Sequence, residues 1–152
     1  MYTWWRIAAF AVFAIPITLV DLKHLRIPDA LSLGGIAAIL VLDVLVLKAA
    51  AVSMALEATV GFGVFWLIRL VTGGKLGAGD AKYSVLIALS LGLLGWLTTI
   101  AVASVTGLVA ALVLIRGLKV SLKTRIPFAP FLTLGAAVSI ALRQAFPGGL
   151  LS

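Results

Sequence analysis

From Ala81 to Ile115 the chain runs for 35 residues in which Lys82, at the second position, is the one charged side chain. A helix needs about 20 apolar residues to cross the hydrocarbon layer of a bilayer, so this run is too long for one crossing and just long enough for two. Four further apolar runs accompany it: Tyr2 to Val20, Ala30 to Leu47, Ala51 to Val71 and Pro127 to Ala145. A soluble domain of 152 residues could not hide them. Its surface would call for about 25% charged residues, and the chain has 11%, against 63% hydrophobic. The expectation is all-α: a polytopic membrane bundle of about six transmembrane helices, with residues 1–152 forming a single integral-membrane domain. Gly92 and Gly95 stand where a turn would divide the long run.

The cations set an orientation. With six crossings, Lys23, Arg26, Arg69, Lys75, Lys82, Arg116, Lys119, Lys123 and Arg125 share one side, and Arg6, Lys48 and Arg143 the other. Basic loops stay in the cytoplasm, so both termini are expected outside, with Trp4 and Trp5 in an outer aromatic belt. The net charge of +7 is dispersed among apolar runs rather than gathered in a stripe, which argues for a lipid partner and against nucleic acid. The first run has neither a basic leader region nor a small-residue cleavage site and reads as a mature span. With no cysteine and His24 as the single imidazole, disulfides, cysteine nucleophiles and a metal site are not expected, and His24 reads as a solvated loop residue.

The chemistry must then come from five acids, Asp21, Asp29, Asp43, Glu57 and Asp80. Asp21 ends the first span and Asp80 opens the fourth, so both fall at the cytoplasmic membrane face and are free to converge. Two neighbouring carboxylates in a partly dry site do not both ionise cheaply, so one is a base and the other keeps a proton. That pair can hydrolyse a peptide without a cofactor: one activates water, the other polarises the carbonyl and assists the leaving amine. The same residues also fit a structural role, with Asp21 paired to Lys23 or Arg26 and Asp80 capping its helix. Four glycines, Gly73, Gly74, Gly77 and Gly79, precede Asp80 and allow positive φ and close backbone approach. A phosphate loop is disfavoured, since an acid sits where the anion would go.

Other residues draw plainer expectations. Asp29, after Pro28, reads as an N-cap of the second helix, and Asp43 and Glu57 as outer acids that pair with Lys48 or reach the interface. Pro127 and Pro130 open the last span, either leaving backbone groups free beside the site or simply starting the helix. Pro16 would kink the first span near Asp21.

Gly77-Ala78-Gly79-Asp80 with Lys82, Asp21 followed by Ile27-Pro28-Asp29, and the late Ile126-Pro127-Phe128-Ala129-Pro130-Phe131-Leu132 resemble the motifs of the type IV prepilin peptidases, GxGD-type intramembrane aspartic proteases. The resemblance runs from about Asp21 to Gly135. It implies that Asp21 and Asp80 are the catalytic pair, that Gly77 and Gly79 shape the loop, and that Lys82 matches the motif lysine. It further implies that the substrate is a prepilin or pseudopilin whose basic leader is removed at the cytoplasmic face of the inner membrane. The paired cysteines and N-terminal cytoplasmic domain of longer members are not seen, so the compact form of the family is expected, with proteolysis and without N-methylation. From the residues alone, a small transporter or proton-relay subunit, or an inactive pilus-assembly scaffold, stays open as an alternative.

Overall fold

The structure is a computed structural model that describes residues 4–47, 51–74, 76–117 and 126–146. Among these residues every regular element is helical: α1 (Trp4–His24), α2 (Asp29–Leu42) continued by a π-helical turn (Asp43–Leu47), α3 (Ala51–Val71), α4 (Ala78–Gly117) and α5 (Ala129–Ala145). Tyr2, Lys48, Lys75, Lys119, Lys123 and Arg125, which enter the spans and the charge count above, lie outside the described residues. The all-α membrane bundle is thus as expected. α1, α3 and α4 are long and apolar enough to cross a membrane, and α5 is a shorter apolar helix.

The long apolar run folds into α4, and α4 is not straight. Gly92 has φ 68 and ψ 176, a conformation essentially reserved for glycine. Trp96 Nε1 donates to Ser84 Oγ at 2.7 Å, whereas twelve residues along a straight helix span about 18 Å. The chain therefore folds back at Gly92, and α4 is two antiparallel arms. Gly95, the other glycine expected to turn, lies inside the second arm, where a Cβ would meet Leu91 Cβ at 2.8 Å and Ser139 Oγ at 3.3 Å.

α4 makes the largest interfaces, with α5 and α3. Small residues permit them. A Cβ on Gly61 of α3 would stand 2.9 Å from Ala88 Cβ, and one on Gly135 of α5 would collide with the backbone of Thr99. Such contacts let helix backbones approach where lipid offers no hydrophobic drive to associate. The first arm of α4 is the centre of the core, with Ala81, Tyr83, Leu86, Ile87, Ala88 and Leu89 fully buried. Large apolar side chains such as Val12, Leu45, Val52, Leu67, Leu97 and Val105 point outward, as a lipid-facing surface requires.

Polar contacts mark the two ends of the bundle. At one end Arg6 Nε pairs with Asp43 Oδ1 at 2.8 Å, with Asp43 fully buried. Arg6 also reaches the carbonyl of Leu89, and Glu57 lies within its electrostatic reach. Asp43 is therefore paired with Arg6, a partner not anticipated from sequence, while the Lys48 expected to pair with it lies outside the described residues. A buried pair of this kind costs about 3–5 kcal/mol when one member is removed, because the other is left as an uncompensated charge. The opposite end carries Asp21, Asp29, Asp80 and Lys82.

Candidate active site

Asp21 lies in the last turn of α1, where it is almost fully buried. Its Oδ2 accepts the backbone N–H of Ala129 at 3.0 Å, with the amide of Phe128 beside it. These amides belong to the start of α5, where the first N–H groups have no partner inside the helix. Pro127 precedes the helix and Pro130 occupies its second position, so the prolines start the helix and the site takes the amides between them. Neither Lys23 nor Arg26 is the partner of Asp21 among the contacts described. Sequence reasoning anticipated free backbone groups near these prolines but not that Asp21 would take them.

Asp80 is the third residue of α4, and its Oδ2 accepts the N–H of Gly77, the residue just before the helix, at 3.1 Å. This is the reaching-back half of a capping box, so Asp80 closes the helix start from inside instead of acting as N-cap. The two glycines of the motif are needed for room. A Cβ on Gly77 would stand 2.8 Å from Asp80 Oδ2, and one on Gly79 2.8 Å from Ile27 Cβ. Positive φ occurs earlier, at Gly73 (64°) and Gly74 (81°), where the chain turns out of α3. Arg69 fixes that turn through hydrogen bonds to the carbonyls of Leu76 and Gly74.

The fit of Gly79 against Ile27 draws the start of α4 onto the segment joining α1 to α2. Asp21 and Asp80 thereby come close enough for their charges to interact. The neighbouring acid has a different task. Asp29 is the first residue of α2, where no side chain caps the helix, and its Oδ1 accepts an ion-pair contact from Lys82 Nζ at 2.7 Å. The N-cap expected of Asp29 is thus replaced by a bridge between α2 and α4, and Lys82 is held by an acid other than the two that converge. His24 is exposed, as expected, but it is the last residue of α1 and not part of a loop, and α1 continues through Pro16 as helix. Among the described residues no cluster of three metal-ligating side chains occurs. The arrangement is two carboxylates on adjacent helices, each tethered through Oδ2 to a backbone amide, at one end of an apolar bundle.

A family model described as the type IV leader peptidase family matches residues 8–112. That span includes Asp21, Gly77, Gly79, Asp80 and Lys82, and ends before Pro127 and Pro130. The chain is 32% identical to a prepilin leader peptidase/N-methyltransferase of Stutzerimonas stutzeri and 29% identical to one of Pseudomonas putida, in both cases over 83% of its length. The matches cover 45% and 46% of those proteins, so the chain spans about half the length of the curated relatives it matches. No solved structure matches the chain significantly.

Proposed function

The chain belongs to the type IV leader peptidase family, and we propose that it is an intramembrane aspartic endopeptidase removing the basic leader of prepilin or pseudopilin precursors. Asp21 and Asp80 are the catalytic pair. The ionised member takes a proton from water, which attacks the scissile carbonyl; the protonated member donates a hydrogen bond to the carbonyl oxygen and assists the leaving amine. No cofactor enters the reaction. The proposal is confined to peptide hydrolysis; methyl transfer, named in both relatives, is not part of it.

The observation that carries this reading is that two acids far apart in the chain, on neighbouring helices, lie at the same end of the bundle, each on a backbone amide and near enough for the charge of one to bear on the other. In both acids the amide contact, from Ala129 or from Gly77, is made to Oδ2, and Oδ1 is the oxygen assigned here to water or substrate. The glycine-rich approach to Asp80 supplies backbone against which an extended substrate segment can lie. A proton relay through the outer acids is less well supported, since Asp43 is neutralised by Arg6.

The reading takes the two arms of α4 as separate crossings, six in all, of the inner (cytoplasmic) membrane. It puts the site in the cytoplasm because nine of the twelve cations then fall on that side. The test is co-expression of prepilins bearing basic leaders with wild type, Asp21→Asn and Asp80→Asn at matched membrane abundance, with the new N-terminus read by mass spectrometry. Cleavage after the leader by wild type alone is the expected result. Cleavage surviving either substitution contradicts the two-aspartate mechanism.

A further inference from the structure

One helical turn deeper than the two acids lies a second set of polar side chains. Thr18 precedes Asp21 by three residues on α1, Tyr83 follows Asp80 by three on α4, and Thr133 follows Ala129 by four on α5, so each shares a helix face with its partner above. The three hydroxyls meet. Tyr83 Oη lies 2.7 Å from Thr133 Oγ1, and Thr18 Oγ1 lies 2.6 Å from the same atom. Thr133 Oγ1 donates to the carbonyl of Ala129 at 2.9 Å, and the single hydrogen of Thr18 is shared between Thr133 and the carbonyl of Ala14 at 2.8 Å.

A threonine hydroxyl has one hydrogen. With that of Thr133 committed to Ala129, both Tyr83 and Thr18 donate to Thr133, whose oxygen has two lone pairs to receive them. Ala129 is thereby tied at both ends, its carbonyl to Thr133 and its N–H to Asp21 Oδ2. An unbroken chain of hydrogen bonds runs from Tyr83, one turn from Asp80, through Thr133 and Ala129 to Asp21. Tyr83 is fully buried with its ring stacked near Phe10 at 6.2 Å, so its position is set by packing and its hydroxyl is spent on this contact.

We propose that Tyr83, Thr133 and Thr18 are positioning residues that fix the rotation of α4, α5 and α1 so that Asp80 and Asp21 face one another. The inference rests on the two-aspartate reading above. None of the three touches substrate; each acts through the helix that carries an acid or the amide that holds one. A displacement of about 1 Å at a reacting group costs on the order of 100-fold in rate, and the loss of one hydroxyl from this tie permits such a rotation.

The variants are Tyr83→Phe and Thr133→Val, which keep shape and remove a hydroxyl, the double variant, and Thr133→Ser, which restores the hydroxyl. Each is reconstituted in liposomes with a prepilin that wild type cleaves, and kcat and KM are measured beside thermal stability. Tyr83→Phe and Thr133→Val should lower kcat roughly 10- to 100-fold with KM within about two-fold, and Thr133→Ser should stay within about three-fold of wild type. The double variant separates positioning from mere stability. Replacing both partners with apolar groups of the same shape leaves no buried hydroxyl of that pair unpaired, so its thermal stability should recover from that of Thr133→Val while kcat stays low. A kcat that recovers with stability, or a Tyr83→Phe enzyme at wild-type kcat, overturns the proposal. Asp21→Asn and Asp80→Asn in the same assay keep the two readings apart: if they are inactive while the double variant is not, only the positioning role falls, and if they cleave, the catalytic pair falls.

Discussion

Gly77 and Gly79 show how a short motif acts through space. Neither adopts the positive φ that the sequence suggested; each is bare because a neighbour occupies the place of its Cβ. At Gly77 that neighbour is the carboxylate of Asp80 itself, held by the Gly77 N–H. At Gly79 it is Ile27, so the contact fixes how near α4 comes to the end of α1. Gly77→Ala and Gly79→Ala should therefore lower cleavage on the order of 100-fold, the effect of displacing a reacting group by about 1 Å. The measurement is kcat on a cleaved prepilin, with membrane abundance as control; wild-type rates for both would remove the packing argument. The two acids were legible in the sequence because so few charges interrupt the apolar runs. Their partners were not. The N–H of Ala129 and the pairing of Asp29 with Lys82 join residues far apart in the chain, and no local pattern encodes such contacts.

The helices divide along the same line. The length of the run from Ala81 to Ile115 demanded a reversal, and glycine chemistry narrowed the turn to Gly92 or Gly95. Packing chose between them. Gly95 is needed inside the second arm, where a Cβ would press on Leu91 and Ser139, while Gly92 takes the positive φ of the turn. Gly92→Ala should destabilise the protein by about 1–3 kcal/mol, the cost of holding a non-glycine residue in such a conformation. Gly63→Ala is the comparison, since a Cβ there meets nothing within 4 Å. Thermal unfolding in detergent should show a clear loss for the first and little for the second; equal behaviour would contradict a turn at Gly92. The second apolar run was less legible. Its regular helix is 14 residues long and passes into a π-helical turn of 5, and together they reach about 28 Å at the usual rise per residue. The turn starts at Asp43, whose pairing with Arg6 depends on α1 and is invisible in the sequence of α2.

The whole molecule separates two kinds of acid by their surroundings. Asp43 is matched with a cation at one end of the bundle, and Asp29 with another at the opposite end. Asp21 and Asp80 are matched with backbone amides and with each other's charge. The first arrangement neutralises charge and joins helices; the second leaves two acids at one end of the bundle with no cation among their described contacts, as the proposed acid–base chemistry requires. The central claim is that these two act as one unit. It is tested most directly by the cleavage rates of wild type, Asp21→Asn, Asp80→Asn and the double variant under single-turnover conditions. Residues that act together in one step are strongly non-additive. Each single substitution is predicted to lower the rate by about 1,000-fold or more, with the double variant no slower than the slower single. Multiplying losses, or a single variant that retains most of its rate, would contradict the paired mechanism.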